Sequence, residues 1–156
     1  MEWTESITID RPDTQVFMAI SDLHEVCQWS AWVVPAGGGC SVVGDGTSFG
    51  SELILRDSRG VERGRLRLVA ARLDRVELQF LSRGPGRRAV DLDLAYRLQD
   101  VGASATIVML DASAHPRLPA GLRHLAEPRL RRELRGAHSR DLRGLKAHVE
   151  GQPLGR

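Results

Sequence analysis

The pattern that most constrains the fold of this chain lies in its last third. From Pro128 to Gly151 no further proline interrupts it. At about 100° per residue, Leu130, Leu134, His138, Asp141, Leu142, Leu145 and Val149 fall within roughly a third of a helix circumference. Arg132, Arg135, Ser139, Arg143 and Lys146 occupy the opposite face. The spacing predicts one long amphipathic helix whose main body starts near Pro128, after the breakers Pro116, Pro119 and Gly121. His138 and Asp141 are polar intrusions in its apolar stripe. A long helix laid on a curved antiparallel sheet tends to enclose space, which suits a chain that holds a small molecule.

Most of what precedes that helix has period two, as strands with one buried and one wet face require. Ser6 to Ile9 forms a short edge strand ending at Asp10-Arg11-Pro12-Asp13. Pro12 and Asp13 then start a helix carrying Val16, Phe17 and Ile20, and a second short helix covers Leu23 to Gln28. Trp29-Ser30-Ala31-Trp32 and the glycine-rich stretch from Ala36 to Gly39 read as loop. From Ser41 a meander of about six strands follows. Its runs include Phe49 to Arg56, Arg65 to Ala70, Val76 to Phe80, Val90 to Leu98 and Ala105 to Ala112, separated by turn residues such as Asp57-Ser58-Arg59-Gly60 and Arg83-Gly84-Pro85-Gly86. The class is α+β, a curved antiparallel sheet of about seven strands with two short helices after the first and a long C-terminal helix. Residues 1–151 form a single domain, with 152–156 as a tail.

At 156 residues and 42% apolar content the chain can bury a substantial core. Acid near the N-terminus and the lack of a long apolar run argue against a signal sequence or a membrane span and for a cytoplasmic protein. Cys27 and Cys40 are too few for a disulfide framework and read as free thiols. His24 with Cys27 lacks a second ligand pair, so no metal and no cofactor is expected. Gly37-Gly38-Gly39 and Gly44-Asp45-Gly46 lack the lysine and helix of a phosphate loop and read as turns. Nearly all basic residues are arginine, a bias that fits a GC-rich genome.

Three phrases carry a family resemblance. Ile7-Thr8-Ile9-Asp10-Arg11-Pro12 resembles the opening strand and helix start of the START and birch-pollen-allergen-like (SRPBCC) superfamily, in its bacterial polyketide cyclase/dehydrase and lipid transport branch. Trp29 to Trp32 is similar to that branch's tryptophan segment, and Asp141-Leu142-Arg143-Gly144-Leu145-Lys146 to its closing phrase. The resemblance implies the helix-grip fold, with a cavity between concave sheet and last helix that opens near the loop after the second helix. It implies less about activity, because the superfamily includes cyclases, aromatases, lipid carriers and quinone chaperones.

Strand phasing independently selects the lining of such a cavity. Leu53, Leu55, Leu66, Leu68, Val76, Leu78, Phe80, Leu92, Leu94 and Tyr96 face one way while their neighbours are mostly charged. Leu134, His138, Asp141 and Leu145 join them from the helix, and Trp29 and Trp32 either gate the mouth or cover the core edge. The expected ligand is a hydrophobic or aromatic small molecule, polyketide-like or lipid. His138 and Asp141 are the candidates for catalysis, since a carboxylate three residues from an imidazole on a helix can orient it as a general base. Cyclisation or dehydration by proton transfer is one reading, and a structural role for the pair is another. A non-catalytic lipid or quinone carrier is the alternative function. The arginine face invites a reading in which the protein docks on RNA, a ribosome or another partner, or an anionic membrane surface, but interspersed acids, a near-neutral chain and the absence of stacking aromatics make it a solvated face, so no nucleic acid is expected.

Overall fold

The computed structural model describes residues 1–30, 37–83 and 89–153. Its first strand, β1 (Glu2–Ile9), is followed by helices α1 (Asp13–Ser21) and α2 (Leu23–Trp29). Strands β2 (Gly39–Val43), β3 (Glu52–Arg56), β4 (Glu62–Arg72), β5 (Arg75–Ser82), β6 (Val90–Asp100) and β7 (Thr106–Pro116) then lead to helix α3 (Ala120–Glu150). The expected turn at 84–86 and the last three residues of the expected tail lie outside the described residues. The seven strands form one sheet in the order β1-β7-β6-β5-β4-β3-β2, each pair antiparallel. Neighbouring strands from β2 to β7 are consecutive, so the sheet is a meander to which β1 adds at one side.

Register explains which face is buried. Leu66 pairs with Phe80, Leu78 with Leu94, and Leu94 with Ala112. Because the side-chain period is two, this row places apolar residues of four strands on one face, beneath α3. The opposite row, Glu77, Ala95, Asp111 and Thr4, faces outward. Irregularities between Leu55 and Arg56 and between Leu68 and Ala70 interrupt the ladders. Such bulges bend a strand, and bending lets a sheet wrap around a helix.

Two expectations about element boundaries are corrected. Helix α3 begins at Ala120 and includes Pro128. The proline removes the backbone donor for the His124 carbonyl, but this stretch is exposed, so water is within reach of the freed acceptor. Phe49 lies before β3 rather than within it and is 79% exposed. Around it, Asp45 accepts hydrogen bonds from the Thr47 and Ser48 amides at 2.8 and 2.7 Å, folding a polar turn where alternation alone reads strand. The hydrogen bond from the Ser48 hydroxyl, reinforced by these two amides, holds the Asp45 carboxyl well below the usual carboxylate range.

Cys27 and Cys40, read as free thiols, are joined in a disulfide. Their Cα atoms are 6.3 Å apart, within bonding range, because β2 returns along α2 after the intervening segment. The expectation failed because a count of cysteines carries no information about which elements a sheet brings together. Cys27 of the weighed metal pair is taken up by that disulfide, and the His24 ring faces Asp22 at 3.1 Å.

The arginine face of α3 is also more than solvated. Arg131 donates to the Glu2 carbonyl at 3.0 Å, Arg135 to the Glu5 carboxylate at 2.8 Å and Lys146 to the Thr8 carbonyl at 2.6 Å. Helix α3 thus runs along β1 and satisfies backbone acceptors of an edge strand that has no sheet neighbour on that side. No helix among the described residues is long and apolar enough to cross a membrane.

Candidate ligand site

The buried face of α3 carries Leu134, Ala137, His138, Asp141, Leu142, Leu145 and Val149. Opposite its later turns the sheet supplies a dense wall: Leu53, Leu66, Leu68, Leu78 and Leu92 each retain no more than 2% of their surface. Leu55, Leu94 and Tyr96 are 5% exposed or less, Leu134 is 8% exposed, and Phe80 is half-buried. Phe80 lies over Gly64, where an added Cβ would stand 2.5 Å from its ring. A glycine there is what lets the ring occupy the concave face.

Polar groups enter this apolar wall at one region. The Ser30 hydroxyl donates to Asp141 at 2.6 Å, tying the end of α2 to α3. Beside that contact Gly144 admits the Trp29 carbonyl so closely that a Cβ would stand 2.7 Å from the oxygen. Trp29 itself is 6% exposed and donates from its indole to the Ala19 carbonyl at 2.9 Å. It therefore fastens α2 to α1 and covers the core edge. Trp32 lies outside the described residues. Burial pushes the Tyr96 hydroxyl far above its ordinary range, and the negative charge of Asp141 adds to the shift. Tyr96 therefore stays protonated and able to donate.

His138 is 1% exposed, and its ring stacks on Trp3 of β1 with centroids 5.4 Å apart. Burial lowers its pKa to about 4, while the Glu5 carboxylate opposes that shift. At neutral pH the imidazole is uncharged, suited to polarising or accepting a hydrogen bond and poorly suited to donating a proton as an acid. Asp141 meets Ser30 from α2, whereas His138 meets Trp3 from β1, so the two side chains engage different elements. What the cluster can do chemically is orient a bound carbonyl or hydroxyl within an apolar enclosure.

The Ser30 contact makes Asp141→Ala a test of the structural reading. The substitution removes the acceptor of a buried hydroxyl, and stranding such a group costs about 1–3 kcal/mol. Chemical denaturation should show that loss, and a cycle with Ser30→Ala should show the two changes to be coupled. Simple additivity would mean that Asp141 serves something other than this junction.

Open space lies along the first half of α3. Leu118, Leu122, Leu125, Ala126, Arg129, Leu130 and Glu133 line a groove of about 390 Å³. Leu122, Ala126, Leu130 and Leu134 follow one another at four-residue spacing, so the groove leads along one helical strip toward the buried stripe. Apart from Leu130, these groove residues do not stand out in the sequence, because the prolines at 116, 119 and 128 mask a helical run. The spacing of Leu118, Leu122 and Leu125 is the signal that could have found them. A larger hollow of about 650 Å³ lies chiefly on the outer face of the sheet, around Ala95. Three of its carboxylates are engaged, Asp111 by Arg97, Glu77 by Arg75 and Asp93 by His115.

The fold recurs in solved structures. Truncated norcoclaurine synthase from Thalictrum flavum superposes with a TM-score of 0.71 at 12% identity, covering 98% of this chain and 95% of that one. A protein from Chromobacterium violaceum gives 0.64 at 16% identity, with 96% of each chain covered. Ara h 8.0201 gives 0.66 at 10% identity, covering 97% of this chain and 99% of that one. No protein of curated function matches the chain in sequence. The sequence profile of polyketide cyclase/dehydrase and lipid transport proteins matches residues 1–150. With that match spanning sheet and both helical layers, the chain belongs to the polyketide cyclase/dehydrase and lipid transport family and has its helix-grip fold.

Proposed function

We propose that the protein binds a hydrophobic or aromatic small molecule, polyketide-like or lipid, between α3 and the concave sheet. The observation that carries this reading is the four-residue ladder Leu122, Ala126, Leu130 and Leu134, which links an open apolar groove to the buried stripe of the same helix. Such a ladder offers one continuous apolar surface to an elongated ligand, and each methylene removed from water contributes about 0.8 kcal/mol. Beyond the groove, the predicted lining residues Leu78, Phe80, Leu92, Leu94 and Tyr96 are the surfaces a ligand would meet. Neutral His138 and the protonated Tyr96 hydroxyl are the groups proposed to recognise a carbonyl on it.

Carrier function needs no more than this. Cyclisation or dehydration is the second reading, and the protonated Tyr96 near Asp141 is the observation in its favour. One structural relative, norcoclaurine synthase, has been solved with dopamine and hydroxybenzaldehyde. In this chain the reacting ligand would be a poly-carbonyl chain, with neutral His138 hydrogen-bonded to one of its carbonyls or enols.

A panel of fatty acids, quinones and aromatic polyketides, followed by thermal shift and calorimetry, tests the binding reading. At least one class should raise the melting temperature, and Leu130→Glu should abolish that rise by placing a charge in the groove. If no member stabilises the wild type, the reading fails. Conversion of a bound poly-carbonyl compound, lost in His138→Gln, would favour catalysis over carriage.

A further inference from the structure

We infer that the first half of α3 docks on an anionic lipid bilayer. This rests on the proposed apolar ligand site and adds where its ligand is exchanged. Leu125 is 81% exposed and Leu122 45%, on a helix segment that the sheet does not cover. Arg129 and Arg132 follow Leu125 by four and seven residues, so one helical row presents a bare leucine and then two guanidinium groups. Arg129 shares its charge with Glu133 at 3.1 Å. Arg132 is exposed and, with Pro128, Arg131 and Arg135, lines a second hollow of about 340 Å³.

Charge complementarity selects the partner. Residues 118–135 contain five arginines and two glutamates, whereas the whole chain carries a net charge of only +2. The excess of positive charge is therefore concentrated on the segment that also exposes leucines. An interfacial helix sets apolar side chains among acyl chains and lets arginine reach lipid phosphates. RNA would use the arginines and leave the leucines without a role, since no Phe, Tyr or Trp lies within 118–135 to stack on bases. Docked this way, the apolar groove opens toward the bilayer surface.

Flotation of the full-length protein with phosphatidylcholine vesicles, with and without phosphatidylglycerol, tests the inference. Binding is expected only to the anionic vesicles and should weaken with added salt. Leu125→Glu should abolish it, and Arg132→Glu should weaken it by roughly tenfold, since each basic residue near such a surface changes affinity severalfold. Arg132 does not line the apolar groove, so Arg132→Glu should keep the ligand-induced rise in melting temperature measured without vesicles. Loss of vesicle binding with that rise intact separates docking from ligand binding. Equal binding to neutral and anionic vesicles, no vesicle binding by the wild type, or arginine-dependent RNA binding in its place would overturn the inference.

Discussion

Acidification from neutrality to pH 4 is expected to cost the protein about 3 kcal/mol through His138 alone, because its pKa falls from 6.5 to about 4 on folding. Below pH 6.5 the unfolded chain takes up a proton that the folded chain refuses. Stability contributed by the neutral, buried ring is thus complete above that point and drains away as the pH falls toward 4, with no further loss below. The cause is burial against Trp3, and the opposing Glu5 carboxylate on β1 only moderates it. Urea denaturation across this range, compared with His138→Gln, isolates the effect, since the glutamine variant keeps every other titrating group. Parallel pH profiles for the two proteins would show that His138 is not held neutral by the fold.

Reduction of the Cys27–Cys40 disulfide is expected to lower stability by a similar amount. The cysteines stand 13 positions apart, and closing a loop of that size restricts the unfolded chain by about 3 kcal/mol. The bond also pins α2 to the edge strand β2, and α2 ends at the Ser30–Asp141 junction. A Cys27→Ser/Cys40→Ser variant should therefore denature at lower urea than the oxidised wild type and be indifferent to dithiothreitol. A wild type that reacts with two equivalents of a thiol reagent after air oxidation would remove the basis of this prediction.

Much of the architecture is legible in the chain because burial imposes periodicity. Val90 to Leu98 alternates so strictly that its lumen-facing residues can be named one by one, and the structure buries Val90, Leu92, Leu94, Tyr96 and Leu98. The angular reading of α3 likewise places His138 and Asp141 among buried leucines, where both lie. Phe49 and the start of α3 depart from the pattern for local reasons. An aspartate turn interrupts alternation without changing the apolar count, and an exposed helix accepts a proline that a buried one would reject.

The amino-acid pattern by itself determined the element order, the buried faces of β4, β5 and β6 and the polar intrusions in the last helix, because each depends on residues close in sequence. Only the tertiary structure decided that Cys27 meets Cys40, that Ser30 engages Asp141, and that Trp3 stacks on His138. The last two contacts join residues more than a hundred positions apart, and the first depends on where β2 returns along α2. Such pairings are fixed by sheet order and helix placement, which periodicity does not encode. The open groove follows the same logic: leucines at helical spacing are visible in any sequence, but whether a sheet covers them is decided by how far α3 runs past β1.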